Sequence, residues 1–153
     1  MKKLMPFVFL MLLALCACNA KSQTPDVPLA DILDEILEET DITGQIPVDT
    51  VNLTALYGID SADVEEAACC ITMNGIFPDE ILMIKAVSEE SAGRVEQCLA
   101  SRLAQVMNQS KSYDPESYEI AQKCHIVRHG QYVSLFVSSK HEQMNELYEA
   151  HFQ

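Results

Sequence analysis

Apolar and polar positions succeed one another along this chain in three rhythms, and each rhythm predicts a different kind of element. Leu4 to Leu15 is one uninterrupted apolar run. Leu29, Ile32, Leu33, Ile36 and Leu37 then follow the i, i+3, i+4, i+7, i+8 spacing of a helix that buries a single stripe. Pro28 suits its first turn, where a fixed φ is already helical and the missing N–H is not needed. The opposite face carries Asp31, Asp34, Glu35, Glu38 and Glu39. It reads as a solvated face, since the D-x-D-x-D-G spacing of a calcium loop is absent. A short helix is expected over Val51 to Tyr57 with Gly58 as its C-cap, then a turn over Ser61 to Glu66 capped by Ser61.

The third rhythm has period two. Between Ala67 and Met73, alternation sets Ala67, Cys69, Ile71 and Met73 on one face and Ala68, Cys70 and Thr72 on the other. Glu80 to Val87 reads as a second strand. Between the two, the loop Asn74 to Asp79 places Ile76 and Phe77 at a turn, either as a contact tip for a partner or folded back onto the core. Ser88 opens a long helix whose buried stripe is Ala92, Val95, Leu99, Leu103 and Val106, broken at Tyr113-Asp114-Pro115-Glu116. Pro115 to Lys123 forms a further helix. Cys124 to Arg128 and Gln131 to Ser138 form a hairpin turning at His129-Gly130. A last helix aligns Met144, Leu147, Tyr148 and His151. Strands joined by hairpins and interleaved with helices predict an α+β fold: a small, mostly antiparallel sheet of about four strands with helices packed on one face. No internal repeat is present.

The apolar run at the start belongs to a different problem. Met1-Lys2-Lys3 gives it a positive leader, and twelve residues from Leu4 to Leu15 suit a signal sequence and fall short of the ~20 needed to span a bilayer. It ends in Leu15-Cys16-Ala17-Cys18. A lipobox needs an aliphatic residue at −3, a small one at −1 and the modified cysteine at +1, and Leu15, Ala17 and Cys18 fill those places. Cys16 fits less well, because Leu15 would occupy the small −1 position. The organisation expected is therefore a lipoprotein signal peptide over 1–17, a lipidated Cys18 with a flexible tether over 18–28, and one domain over 29–153. The tether, from Asn19 to Pro28, is polar and proline-punctuated. As a flexible coil it reaches on the order of 18 Å. Two acyl chains on the Cys18 diacylglyceryl group, at ~0.8 kcal/mol per buried methylene, would anchor the protein stably.

Charge narrows the choice of partners. The chain has 10 Lys and Arg against 23 Asp and Glu, a formal net charge of −13, and two of its lysines lie in the leader. A surface of this sign repels phosphate backbones and anionic headgroups, which argues against nucleic-acid binding and against electrostatic docking on lipid. Membrane attachment is left to the covalent anchor.

Candidate chemistry is sparse. Beyond Cys16 and Cys18 the thiols are Cys69, Cys70, Cys98 and Cys124. Export permits disulfides. Cys69 and Cys70, as strand neighbours, point to opposite faces, whereas Cys69 on the core face and Cys98 beside the long helix's stripe are placed to meet. A Cys69–Cys98 disulfide and buried free thiols both remain open. No C-x-x-C is present. His125 and His129, if on a strand, lie ~13 Å apart, too far to share an ion, and His141 and His151 form no zinc-peptidase pattern, so no metal site is expected. No G-x-S-x-G elbow or glycine-rich phosphate loop occurs among the five glycines. No catalytic residue and no cofactor is assigned.

Several stretches together resemble a family of Firmicutes lipoproteins labelled domain of unknown function 4358. They are Leu56-Tyr57-Gly58-Ile59-Asp60 with Asp63-Val64-Glu65-Glu66, then Asp79 to Lys85, Tyr113-Asp114-Pro115-Glu116, and Gly130 to Val137. The resemblance covers nearly all of the chain after the tether. It implies a Gram-positive source, agrees with the lipobox and carries over no catalytic residues. The cysteine content departs from the family and leaves a redox or metal role open. The function expected is that of a membrane-anchored extracytoplasmic lipoprotein. It would act as a binding module for a protein or small-molecule ligand at the cell surface. The alternative is an exported thiol- or metal-dependent enzyme using Cys70, Cys124 or His125, and a mainly structural role in the envelope is a third.

Overall fold

The computed structural model describes residues 25–73 and 78–153. The signal, Cys18 and the Ile76-Phe77 tip lie outside the described residues. Helix α1 (Leu29–Glu39) buries Leu29, Ile32 and Ile36 completely. Its N-terminus has no local side-chain cap. Instead Glu66, on a strand, accepts the Leu29 N–H at 2.8 Å, so a long-range carboxylate satisfies one of the free N–H groups of the first turn. Strand β1 (Gln45–Pro47) follows, then α2 (Thr50–Tyr57), capped by Asp49 through the Asn52 N–H and closed by Gly58 in the left-handed region at φ 71°. A 3₁₀ turn (Ser61–Asp63) is capped by Asp60, not Ser61.

Strand β2 (Val64–Thr72) begins three residues before the alternation suggests, across a register shift between Val64 and Glu66. The Val87 N–H donates to the Asp63 carbonyl at 3.0 Å and so extends the pairing. Strand β3 (Glu80–Ala86) leads into α3 (Glu89–Tyr113), whose cap Ser88 accepts the Ser91 N–H. Asp114 ends that helix and caps α4 (Pro115–Ala121). Strands β4 (Ile126–His129) and β5 (Tyr132–Val137) form the expected hairpin, with Gly130 at φ 59°, and α5 (His141–Ala150) closes the fold.

The sheet is antiparallel throughout, in the order β1-β2-β3-β5-β4. The α+β reading holds, with five strands instead of four. β1 escapes detection because it is three residues long, contains a proline and is exposed along its length. The expectation of helices on one face needs correction. Leu82, Ile84, Val133 and Leu135 pack with Leu53, Val95, Leu99 and Val106 of α2 and α3. Ile81, Met83, Tyr132 and Phe136 pack on the other face with Leu29, Ile32, Ile36, Met144 and Tyr148 of α1 and α5. Strands apolar on both faces expose too much surface unless each face is covered, and the two terminal helices supply the second cover.

Polar bonds fasten these covers at their rims. Lys140 Nζ donates to the Thr40 carbonyl, and Gln143 Nε2 to the Glu39 carbonyl at 3.0 Å, so α5 satisfies the open C-terminal end of α1. His151 Nε2 lies 2.7 Å from Glu35 Oε2. On the first face Arg102 of α3 reaches Glu80 at the head of β3 through two nitrogens, the shortest contact being 2.5 Å. The Glu80 side chain is 1% exposed.

Candidate functional site

The segment that joins the tether to the domain is docked. Asp26 Oδ1 accepts from Lys85 Nζ at 2.8 Å and from the Tyr132 hydroxyl at 3.1 Å, and that hydroxyl accepts the Val27 N–H at 3.2 Å. Lys85 also pairs with Glu65 at 2.8 Å and sits 5.6 Å from the centre of the Tyr132 ring. Hydrogen bonds donated by Lys85 and Tyr132 hold the Asp26 carboxyl below its ordinary pKa; those that Lys85 donates to Asp26 and Glu65 hold its own above the ordinary value. Glu66 on the Leu29 N–H completes the latch. All of it gathers where β2 begins and β3 ends. Nothing local to Asp26 signals this contact, because its partners lie 59 and 106 residues away.

At this same end an open cleft of about 670 Å³ is lined by Asp60, Asp63, Arg94, Gln97, Cys98 and Ser101. Arg94 grips Asp63 with two nitrogens, at 2.9 and 2.5 Å, and Glu90 with a third at 3.0 Å. The Arg94 hydrogen bonds bring the Asp63 carboxyl down to about 2. The cleft's cation is therefore already committed to protein carboxylates.

The thiols do not converge. All four described cysteines are free. Cys69 Sγ points at the Met83 carbonyl and Cys98 Sγ at the Gly58 carbonyl, both at 3.5 Å, so the Cys69–Cys98 disulfide is not made. Burial pushes Cys69 up to about 12 and Cys70 up to about 11, and raises Cys98 and Cys124 as well. A thiol so shifted carries almost no thiolate at neutral pH, and the thiolate is the reactive form. The histidines are equally dispersed. His125 is exposed before β4, and His129 stacks on Phe152 with ring centres 4.5 Å apart. His141 is buried at the start of α5, and His151 faces Glu35. Among the described residues no three His, Cys, Asp or Glu side chains are placed to hold a metal ion.

At the opposite end of the sheet two large apolar side chains stand in solvent, Ile46 at 47% exposure and Met73 at 70%. Ile46 pairs with Ile71, and Met73 is the first residue after the end of β2. The Ile76-Phe77 expectation falls just beyond Met73, outside the described residues. Among the described residues no helix is long and apolar enough to cross a membrane.

A five-stranded antiparallel sheet clad on both faces by helices, with no catalytic centre assembled among the described residues, defines a small α+β domain of the layered kind. The chain belongs to the family described as Domain of unknown function (DUF4358), whose model matches residues 38–138. No curated protein and no solved structure matches it.

Proposed function

We propose that this protein is a lipid-anchored extracytoplasmic lipoprotein, tethered through Cys18, whose domain is a binding module for a protein or small-molecule ligand at the cell surface. The observation that supports this reading is the latch on Asp26. With Asp26, Val27 and Leu29 bonded to Tyr132, Lys85 and Glu66, the chain is fixed to the sheet eight residues after Cys18. An anchor at Cys18 then holds the β2-start, β3-end side of the sheet toward the bilayer. The other end, with Ile46 and Met73, faces outward about 27 Å away along the nine residues of β2. The apolar pair is thereby offered to a partner in the aqueous phase.

The anchor and the binding role are tested separately. Metabolic labelling with palmitate should mark the wild-type chain and leave Cys18→Ala unlabelled and released from membranes; labelled, retained Cys18→Ala would remove the lipoprotein reading. Photo-crosslinking from Met73 on intact cells should give a discrete adduct that Ile46→Glu abolishes, and the absence of any adduct would count against the binding module. The thiol-enzyme alternative predicts a fast-reacting cysteine in the native protein. Three buried thiols and a half-buried Cys98, all with raised pKa, predict slow alkylation until the protein is unfolded.

A further inference from the structure

A sheet that does not close on itself ends in two edge strands, and here those strands, β1 and β4, are finished differently. At β1 the Val48 N–H donates inward to the Cys69 carbonyl at 2.8 Å. By alternation Gln45 and Pro47 face outward, and Pro47 has no N–H to offer. β2 runs on past β1, but that stretch carries Glu65, Glu66 and the register shift between Val64 and Glu66. Proline, charge and broken register are the usual means by which an edge refuses another strand.

β4 has neither the proline nor the shift. The Ala86 N–H donates to the Gln131 carbonyl at 2.9 Å, so Gln131, Val133 and Leu135 turn their main-chain groups toward β3. Tyr132 and Ser134 turn theirs toward β4, onto His129 and Val127. The N–H and C=O groups of Ile126 and Arg128 therefore point away from the sheet, and among the described residues no main-chain bond reaches them. Arg128 does not guard this edge with its charge. Its guanidinium is bonded to Glu96 at 3.1 Å and to the carbonyls of Glu89 and Gly130 at 2.8 and 2.9 Å.

We propose that the open edge of β4 docks an extended, cationic segment of a partner protein, which joins the five-stranded sheet as a further strand. Main-chain bonds to Ile126 and Arg128 would supply the docking, and charge selects the partner. The chain carries a formal −13. Beside the edge, Arg128 answers Glu96, whereas Glu89 is exposed and has no cationic partner among the described residues. Lys123, just before β4, shares its cleft with Glu116, Glu119 and Glu142. An acidic segment, or a second copy of this chain, meets repulsion here, and a cationic one is drawn in. The inference goes beyond the anchored-module reading, because β4 and β1 lie at opposite edges and the site involves neither Cys18 nor Met73.

Amide hydrogen exchange, followed by nuclear magnetic resonance on the intact chain in detergent micelles, provides the test. The probe is a capped peptide of alternating threonine and lysine, and a threonine–glutamate peptide is the control. At saturation, exchange at Ile126 and Arg128 should slow about tenfold or more with the lysine peptide alone. Val127 and His129, already bonded to β5, should not change. Ile126→Pro removes one outward donor and spares the pairs with β5, so it should weaken the peptide several-fold. Should that variant fail to fold, the wild-type exchange rates still decide. No slowing, equal slowing with the glutamate peptide, or slowing that grows with protein concentration alone would overturn the proposal.

Discussion

Glu80 is a buried carboxylate at the head of β3, tolerable there only while Arg102 answers it. The pair itself adds little net stability, since both groups were hydrated in the unfolded chain. Removing one partner is another matter. Arg102→Met leaves Glu80 buried and uncompensated and should cost about 3 kcal/mol, measured by urea unfolding. Glu80→Met together with Arg102→Met should recover most of that loss. A double variant no more stable than Arg102→Met alone would show that the charge pair is not the cause. His141 gives a residue-scale pH dependence. Burial is the main cause that lowers its pKa below 6.5, with Lys123 and His125 nearby adding to the shift and Glu142 opposing it. The unfolded chain therefore binds this proton more readily than the folded one. The contribution to stability is complete above pH ~6.5 and declines as pH falls below it. Thermal midpoints between pH 7.5 and 5 should drop for the wild type and drop less for His141→Gln.

At the scale of elements, turn and cap chemistry can be tested where a single feature fixes the backbone. Gly58 ends α2 at φ 71°, and a Cβ there would meet nothing within 4 Å. Gly58→Ala thus isolates the backbone cost of the left-handed conformation, about 1 kcal/mol. A loss several times larger would mean that α2 and the following 3₁₀ turn separate from the sheet as a unit. The same local logic made most elements legible in the sequence. Gly58, Ser88, Pro115 and Gly130 mark ends and turns by themselves, and the stripes of α1 and α3 are set by spacing alone. What the sequence did not disclose depends on distant partners. β1 exists because Ile46 lies opposite Ile71 and the Val48 N–H bonds to Cys69. α1 is capped from Glu66. Asn145 and His141, polar in a helix that looks amphipathic through Met144, Leu147 and Tyr148, are nonetheless buried. The candidate site was less legible still: Cys69 and Cys98 had the right faces to pair, yet strand and helix present them to different carbonyls.

For the whole molecule, the second helical layer decides what counts as the folding unit. The family match spans residues 38–138, a stretch that holds all five strands, α2, α3 and α4 but leaves out α5 and all but the end of α1. Yet Ile81, Met83 and Phe136, each 1% exposed or less, face those two terminal helices. Uncovering large aliphatic and aromatic side chains costs ~1.5–3 kcal/mol apiece, and a domain's entire margin is about 5–15 kcal/mol. Losing both helices should therefore consume most or all of it. A fragment of residues 38–138 should bind a hydrophobic dye, self-associate and melt without a cooperative transition, while residues 25–153, which keep the Asp26 latch, should unfold in one step. Adding the missing α5 segment as a separate peptide should suppress dye binding in part, because it restores Met144 and Tyr148 to the face they cover. If the shorter fragment were monomeric, dye-silent and cooperative, the sheet would have to close its second face by other means. The terminal helices would then be attachments to the fold and not half of its core.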